Sequence, residues 1–396
     1  MRNKIKVEIL RDMSFCCGCY ACYSICPVDA IQMKQNEEGF IYPCISEKKC
    51  IHCNQCKKVC PITQEQKPSK TKVYACYDKQ LNRRMESASG GVFALIAEYV
   101  IKNHGMVVGA AFTDNFSVEH ISVDTIQDLK KLKGSKYVQS AIGEQYKIVK
   151  QELEKDRLVL FSGTACQVAG LKSFLKKEFD NLICMDVICH GVPSPKVWKK
   201  YLEEISEGKK IKRIKIRNKE NGIQNAPFKI WFDDGSVFVQ KYEDNLFLKG
   251  FIHNLYLRQS CYQCAFKGNR APSDISIGDF WGLEIVDSQF GDKFGISLVM
   301  THTQKGEKII EKISTSLEKK AFSEKDALRE NPCIEKSVNK PVNRNLFFQS
   351  YEKCGVEKTV MKLTKVCLAK RIKIFITKLR YDIKYKIYLC WRKIKK

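Results

Sequence analysis

CCGCYACYSICP at residues 16–27 and CIHCNQCKKVCP at residues 50–61 carry one pattern twice, C-x2-C-x2-C-x3-C followed by proline. A cube of iron and sulfide needs four converging thiolates, and a tight loop with three of them at two-residue gaps wraps one cube. The fourth cysteine, just before the proline, points away and ligates the neighbouring cube. The pattern therefore predicts two [4Fe-4S] clusters, one on Cys16, Cys19, Cys22 and Cys60 and the other on Cys50, Cys53, Cys56 and Cys26. A structural zinc site would use separated CxxC pairs instead of two runs of four. Cys17 and Cys44 fall outside the pattern and read as ordinary packed cysteines.

Working outward, the chain has 396 residues, 44% of them hydrophobic and 29% charged, so it is expected to fold as more than one globular domain. No apolar run approaches the roughly 18 residues of a membrane span. The opening MRNKIKVEIL lacks the apolar core of a secretory signal, and the expectation is a cytoplasmic protein. In that setting 20 cysteines point to metal ligation or redox chemistry, not to disulfides.

TQEQKPSK at 63–70 reads as a linker, and the pattern changes beyond it. Ser89, Gly90 and Gly91 precede apolar positions Val92, Leu95, Ile96, Tyr99 and Val100, the rhythm of a helix packed on one face. Free N–H groups and the dipole at such a start suit an anion, including a flavin or deazaflavin phosphate. Simple capping by Ser89 with a glycine turn explains the same residues. MVVGAAFT then reads as a strand, residues 125–133 as a helix, and a further helix runs to about Lys155.

Two strand-loop-helix units follow. LVLFSG (158–163) is a buried strand, TACQ carries Cys166 into a loop, and VAGLKSFLKK is helical. LICMDVIC (182–189) is a second strand, followed by a turn-rich loop and a helix from Lys196. Cys166 and Cys189 thus both lie at strand C-terminal ends, the edge of an α/β sheet where ligands bind. Cys261 and Cys264 in SCYQCAFKG add a CxxC pair. These four thiols are consistent with a third cluster, a zinc site, or a redox pair beside two packed cysteines.

Five runs in order resemble the family of coenzyme F420 hydrogenase/dehydrogenase beta subunits: SASGG (87–91), GSKYVQS (134–140), FSGTACQVAGL (161–171), CHGVPSP (189–195) and CYQCAFKGNRAPSDISIGDFWG (261–282). The resemblance covers most of residues 70 to 340. It implies FAD in an α/β domain that passes electrons between a hydride carrier, coenzyme F420 in the founding members, and iron-sulfur clusters. It also makes Cys166, Cys189, Cys261 and Cys264 candidates for a third [4Fe-4S] cluster beside the flavin. Ser89, Gly90, Gly91, Gly134, Ser135 and Lys136 become candidate flavin-phosphate contacts, with Gly163 and Thr164 lining the same pocket. Lysine at such a site supplies charge and hydrogen bonds to phosphate. His190 is left out of catalysis, because hydride transfer to a flavin needs no protein base. Asp279 and Trp281 are either flavin neighbours or a packed pair.

The expected fold is α+β: a dicluster ferredoxin-like domain (1–65), the N-terminal region of the beta-subunit type (66–150), a flavin and cluster domain (151–345) and a basic amphipathic tail (346–396). From Lys358 onward the tail carries about half of the net charge of +25. Leu368, Ile372, Phe375 and Leu379 form a helical stripe suited to an acidic membrane surface, or to an acidic partner. No base-recognition motif accompanies the charge, so nucleic acid is not expected. Two functions are consistent with these readings. One is a flavin-dependent oxidoreductase acting on a soluble hydride carrier, F420 or another two-electron substrate. The other is a non-catalytic conduit from ferredoxin to a partner enzyme, with a carbohydrate or polysaccharide pathway as one setting.

Overall fold

The computed structural model describes residues 9–65, 70–223, 226–268 and 270–365. Its strands, in chain order, are β1 (Ile31–Gln35), β2 (Ile41–Ile45), β3 (Lys72–Asp78), β4 (Met106–Phe112), β5 (Val118–Val123), β6 (Val159–Thr164), β7 (Leu182–Val187), β8 (Ile211–Lys215), β9 (Phe228–Phe232), β10 (Val237–Gln240), β11 (Ile275–Asp279), β12 (Ser297–Thr301) and β13 (Leu317–Phe322). β1 and β2 form an antiparallel hairpin between the two cysteine motifs. The main sheet has eight strands in the order β13-β3-β12-β11-β7-β6-β4-β5. Its centre, β4, β6, β7 and β11, is parallel, and its flanks are antiparallel.

Central strands covered on both faces should read as unbroken apolar runs, and β7 does, with its first five residues buried. Alternate residues then serve opposite layers. Val107, Leu160, Ile183 and Met185 pack against Val92, Leu95, Ile96 and Val100 of the helix Val92–Lys102. Val108, Val159, Phe161 and Leu182 pack against Tyr146 and Val149 of the helix Gln145–Glu154 and Val168 and Leu171 of the helix Ala165–Leu175. The same core contains Cys19, Tyr20, Cys22, Cys56, Val59 and Cys60. The dicluster region is thus a further layer on the second face, sharing its core with the sheet.

A separate core joins the three-stranded sheet β10-β9-β8 to the helices Pro195–Ser206, Leu246–Ile252, Arg344–Cys354 and Val356–Leu363. The main sheet and this core each run across one of the expected boundaries. Residues 66–150 and 151–345 are parts of one sheet, since β3 to β5 pair with strands from the later segment or with one another. Residues 346–365 belong to packed helices, because Phe347, Tyr351, Val356 and Val360 are completely or nearly completely buried. The basic, amphipathic part of the tail, with its stripe from Leu368, lies outside the described residues. Among the described residues no helix is long and apolar enough to cross a membrane.

Candidate cluster and flavin site

The two cysteine motifs fold alike. Tyr20 (φ 69°) and Asn54 (φ 57°) both adopt the left-handed conformation and each leads into a one-turn helix, Ala21–Ser24 and Gln55–Lys58. The turn swings the third cysteine of each motif back toward the first two. Cys26, Cys50, Cys53 and Cys56 line one cavity with Pro27, Ile31 and Ile45. The Ala30 N–H donates to Cys26 Sγ at 3.2 Å, a contact that favours a thiolate. Cys16, Cys22 and Cys60 lie within electrostatic reach of one another: burial, then the neighbouring Cys16 and Cys60, holds the Cys22 thiol far above its ordinary range. Cys19 is hydrogen-bonded to Cys17 and feels Cys22 and Cys60. The eight thiols thus fall into two groups, with Cys60 among those of the first motif and Cys26 among those of the second.

Cys166, Cys189, Cys261 and Cys264 come from three separate segments and line a single cavity. Cys189 follows the end of β7, and Cys261 and Cys264 lie in and just after the short turn Gln259–Gln263. Cys166 sits in the first turn of the helix Ala165–Leu175 and not in a loop, a correction explained by the Thr164–Gln167 capping box that starts the helix there. The Val192 N–H donates to Cys261 Sγ at 3.4 Å, and Thr164 Oγ1 lies 3.1 Å from Cys166 Sγ. Burial pushes the Cys261 thiol up to about 12, helped by Cys166 and Cys264 nearby. Among the described residues no three His, Cys, Asp or Glu side chains close on one point as a single ion requires.

Two more cysteines face this cavity, Cys17 and Cys333. Cys17 is hydrogen-bonded to both Cys19 and Cys166, so it touches the first ferredoxin motif and the four-cysteine cavity together. Spacing alone missed it because Cys17 stands one residue off the repeat. Two buried cations also line the cavity. Arg258 is 1% exposed; Lys267 is 9% exposed and donates to the carbonyls of Cys189 and Cys333. Among the described residues neither forms an ion pair with a carboxylate. Buried charge is stable only when compensated, and thiolate-held clusters, being net anionic, fit that demand.

The expected flavin contacts are arranged differently from one another. Gly91 starts the helix Val92–Lys102 at φ 88° with no side-chain cap, leaving its first N–H groups to other partners. Ser89 and Gly90 are occupied by protein: Ser89 Oγ donates to the carbonyls of Ile296 at 2.9 Å and Gly278 at 3.2 Å, and the Gly90 N–H donates to Ser297 Oγ at 2.9 Å. Lys136 donates to three carbonyls, Lys131, Leu132 and Lys133, closing the end of the helix Ile126–Leu132, and burial drives its pKa down to about 7. A Cβ at Gly163 would lie 2.9 Å from Gln167 Oε1, so packing explains that glycine. Thr164 caps its helix, while Gly134 (φ 83°) and Ser135 lie in an open loop. Beside the Gly91 helix start, Asp279 pairs with Arg217 through Oδ2 at 2.5 Å, whereas its Oδ1 is buried with no partner. Trp281, under the Arg217 guanidinium at 5.6 Å, is 44% exposed. The uncapped helix start, the orphan oxygen and the exposed indole together fit a polar, aromatic group such as FAD.

Residues 15–63 match the 4Fe-4S dicluster domain, and residues 156–325 match the family described as the C terminus of the coenzyme F420 hydrogenase/dehydrogenase beta subunit. These regions define an iron-sulfur electron-transfer oxidoreductase. Residues 156–325 are thus similar to the C-terminal part of the coenzyme F420 hydrogenase/dehydrogenase beta-subunit family, behind an N-terminal 4Fe-4S domain, and three of the five motifs fall within that match. A curated relative, the F subunit of F420H2 dehydrogenase from Methanosarcina mazei, is 22% identical over 319 residues, which is 74% of this chain and 84% of the relative. A solved chain from the F420-reducing [NiFe] hydrogenase complex of Methanosarcina barkeri aligns over 76% of this chain and 93% of its own, with 16% identity and a TM-score of 0.44.

Proposed function

We propose that this chain is an iron-sulfur flavoprotein that exchanges electrons between a two-electron hydride carrier, coenzyme F420 or another substrate, and a partner protein. The observation that carries this reading is the meeting of Cys166, Cys189, Cys261 and Cys264 in one cavity, joined to the ferredoxin motif through Cys17. A third cluster there would stand between a flavin and the dicluster region. When bound, FAD supplies the conversion between two-electron and one-electron transfer, and clusters supply the one-electron steps. The protein's part is to hold these groups in line and dry. The shared core of ferredoxin region and sheet does the first, and burial of Cys19, Cys22, Cys56 and Cys60 assists the second.

The flavin would be held by the uncapped start of the helix Val92–Lys102, by Asp279 Oδ1 and by Trp281, with Gly134 and Ser135 bordering it. A second reading, a conduit without flavin, is favoured by the commitment of Ser89 and Lys136 to protein carbonyls. The experiment that separates them is anaerobic purification with iron, sulfide and flavin analysis, alongside a Cys166→Ala, Cys261→Ala double variant. Iron of about twelve per chain with FAD, falling by about four in the variant, supports the first reading. Iron of about eight without flavin, unchanged in the variant, leaves the conduit.

A further inference from the structure

We propose that Arg258 is a positioning residue that raises the reduction potential of the cluster held by Cys16, acting as a fixed cation between that cluster and the four-cysteine cavity. The proposal rests on the cluster assignment above. Three arginines are among the largest fully buried side chains: Arg84, Arg258 and Arg344. Arg84 is paired with Asp292 and Arg344 with Glu38. Among the described residues Arg258 has no carboxylate partner.

Its contacts hold it in place without neutralising it. Nε donates to the Cys16 carbonyl at 2.7 Å, and Nη2 reaches Cys16 Sγ at 3.7 Å, within hydrogen-bond range for sulfur. The guanidinium carbon stands 3.9 Å above the centre of the Tyr42 ring. Nη1 is buried with no partner. It is tightly enclosed, since a Cβ on Gly18 would come within 3.0 Å of it. Arg258 also lines the cavity of Cys166 and Cys261. An orphan donor and an unbalanced charge, aimed at thiols from two directions, call for an anionic neighbour.

Each electron accepted by a thiolate-held cluster adds negative charge. A rigid cation at hydrogen-bond distance from a ligating sulfur, in a low-dielectric site, favours that reduced state. The Cys16 cluster would then be the preferred resting place for an electron arriving from the four-cysteine cavity by way of Cys17.

The test is a potentiometric titration followed by electron paramagnetic resonance on the anaerobically purified full chain, comparing wild type with Arg258→Gln and Arg258→Lys. A Cys53→Ser variant identifies the signal of the other ferredoxin cluster, and iron is measured on every sample. The expected result for Arg258→Gln is unchanged iron with the Cys16-cluster potential moved to more negative values and the other cluster unmoved. Arg258→Lys, which keeps the charge but loses the fork on Cys16, should fall between. Unmoved potentials at full iron overturn the proposal. If Arg258→Gln loses iron, the lysine variant decides: an intermediate shift supports the proposal, and an unmoved potential or equal iron loss overturns it by making Arg258 a structural clamp. Wild-type iron of about eight would remove the third cluster only, leaving the Cys16 cluster to be read in the same titration.

Discussion

Glu38, on the turn between β1 and β2, grips Arg344 side on, with Nη1 to Oε1 at 2.6 Å and Nη2 to Oε2 at 2.7 Å. The pair clamps the ferredoxin hairpin to the helix Arg344–Cys354, which packs in the other core. The Arg344 side chain is fully buried, so removing its partner strands a charge. Glu38→Gln should lower stability by about 3 kcal/mol, the order expected for breaking a buried pair. Thermal unfolding of the cluster-loaded protein checks the size. Faster tryptic cleavage at 63–70 would show that the loosened element is the ferredoxin region.

The crossed grouping of the cysteines makes a prediction about which signal disappears. Cys60 belongs to the second motif in sequence but stands with Cys16 and Cys22. Cys60→Ala should therefore remove or convert the cluster of the first motif, and Cys26→Ala that of the second. Each should cost up to about four iron. Paramagnetic resonance of the two variants, compared with Cys16→Ala and Cys50→Ala, would pair Cys60 with Cys16 and Cys26 with Cys50. The reverse pairing would refute the arrangement.

Gly170 lies in the middle of the helix Ala165–Leu175, where alanine is normally the better residue. Here a Cβ would meet Cys19 Cβ at 2.8 Å, Cys19 Sγ at 2.9 Å and Tyr146 Oη at 2.9 Å. Gly170→Ala should thus destabilise the protein by roughly 1–3 kcal/mol through overpacking, despite its gain in helix propensity. A shift in the signal of the Cys19-bound cluster, with the other cluster unchanged, would accompany the fall in melting temperature. A rise in melting temperature would contradict this contact.

Acid should expose the cost of His120. The ring is 4% exposed, set against Ser140 Oγ at 2.7 Å and the Ser162 carbonyl at 3.0 Å, and burial lowers its pKa from 6.5 to about 4. The unfolded chain takes up this proton first. Stability from His120 is therefore intact above pH 6.5 and lost as pH falls toward 4, by up to about 3 kcal/mol at about 1.4 kcal/mol per pH unit. Asp186 opposes it: burial raises its pKa from 3.8 to about 6, a cost present above pH 6 and relieved on acidification. Melting temperatures from pH 7.5 to 5 should fall less steeply for His120→Gln than for wild type, and more steeply for Asp186→Asn.

The amino-acid spacing alone was enough for the iron-sulfur identity of the N-terminal region and for the family likeness of residues 156–325. Both are written in local spacing: three thiols at two-residue gaps must turn around one centre, and a strand such as LICMDV, apolar almost throughout, can only be a covered one. The strands and helices around Cys166 and Cys189 were legible for the same reason, to within three residues at their ends, the largest miss being the helix start that takes in Cys166. Tertiary structure decided what spacing cannot encode. Cys17 touches Cys166 because the ferredoxin layer docks on the helix Ala165–Leu175, and nothing within a few residues of either cysteine announces that meeting. Lys136 looked ready for a phosphate, yet three carbonyls at a helix end take its ammonium. Arg258 and Arg344 are alike as letters, and only the fold gives one a sulfur and the other a carboxylate. The division is physical: local spacing fixes which groups one short segment can bring together, whereas the partner of a buried charge is set by chain packing across hundreds of residues.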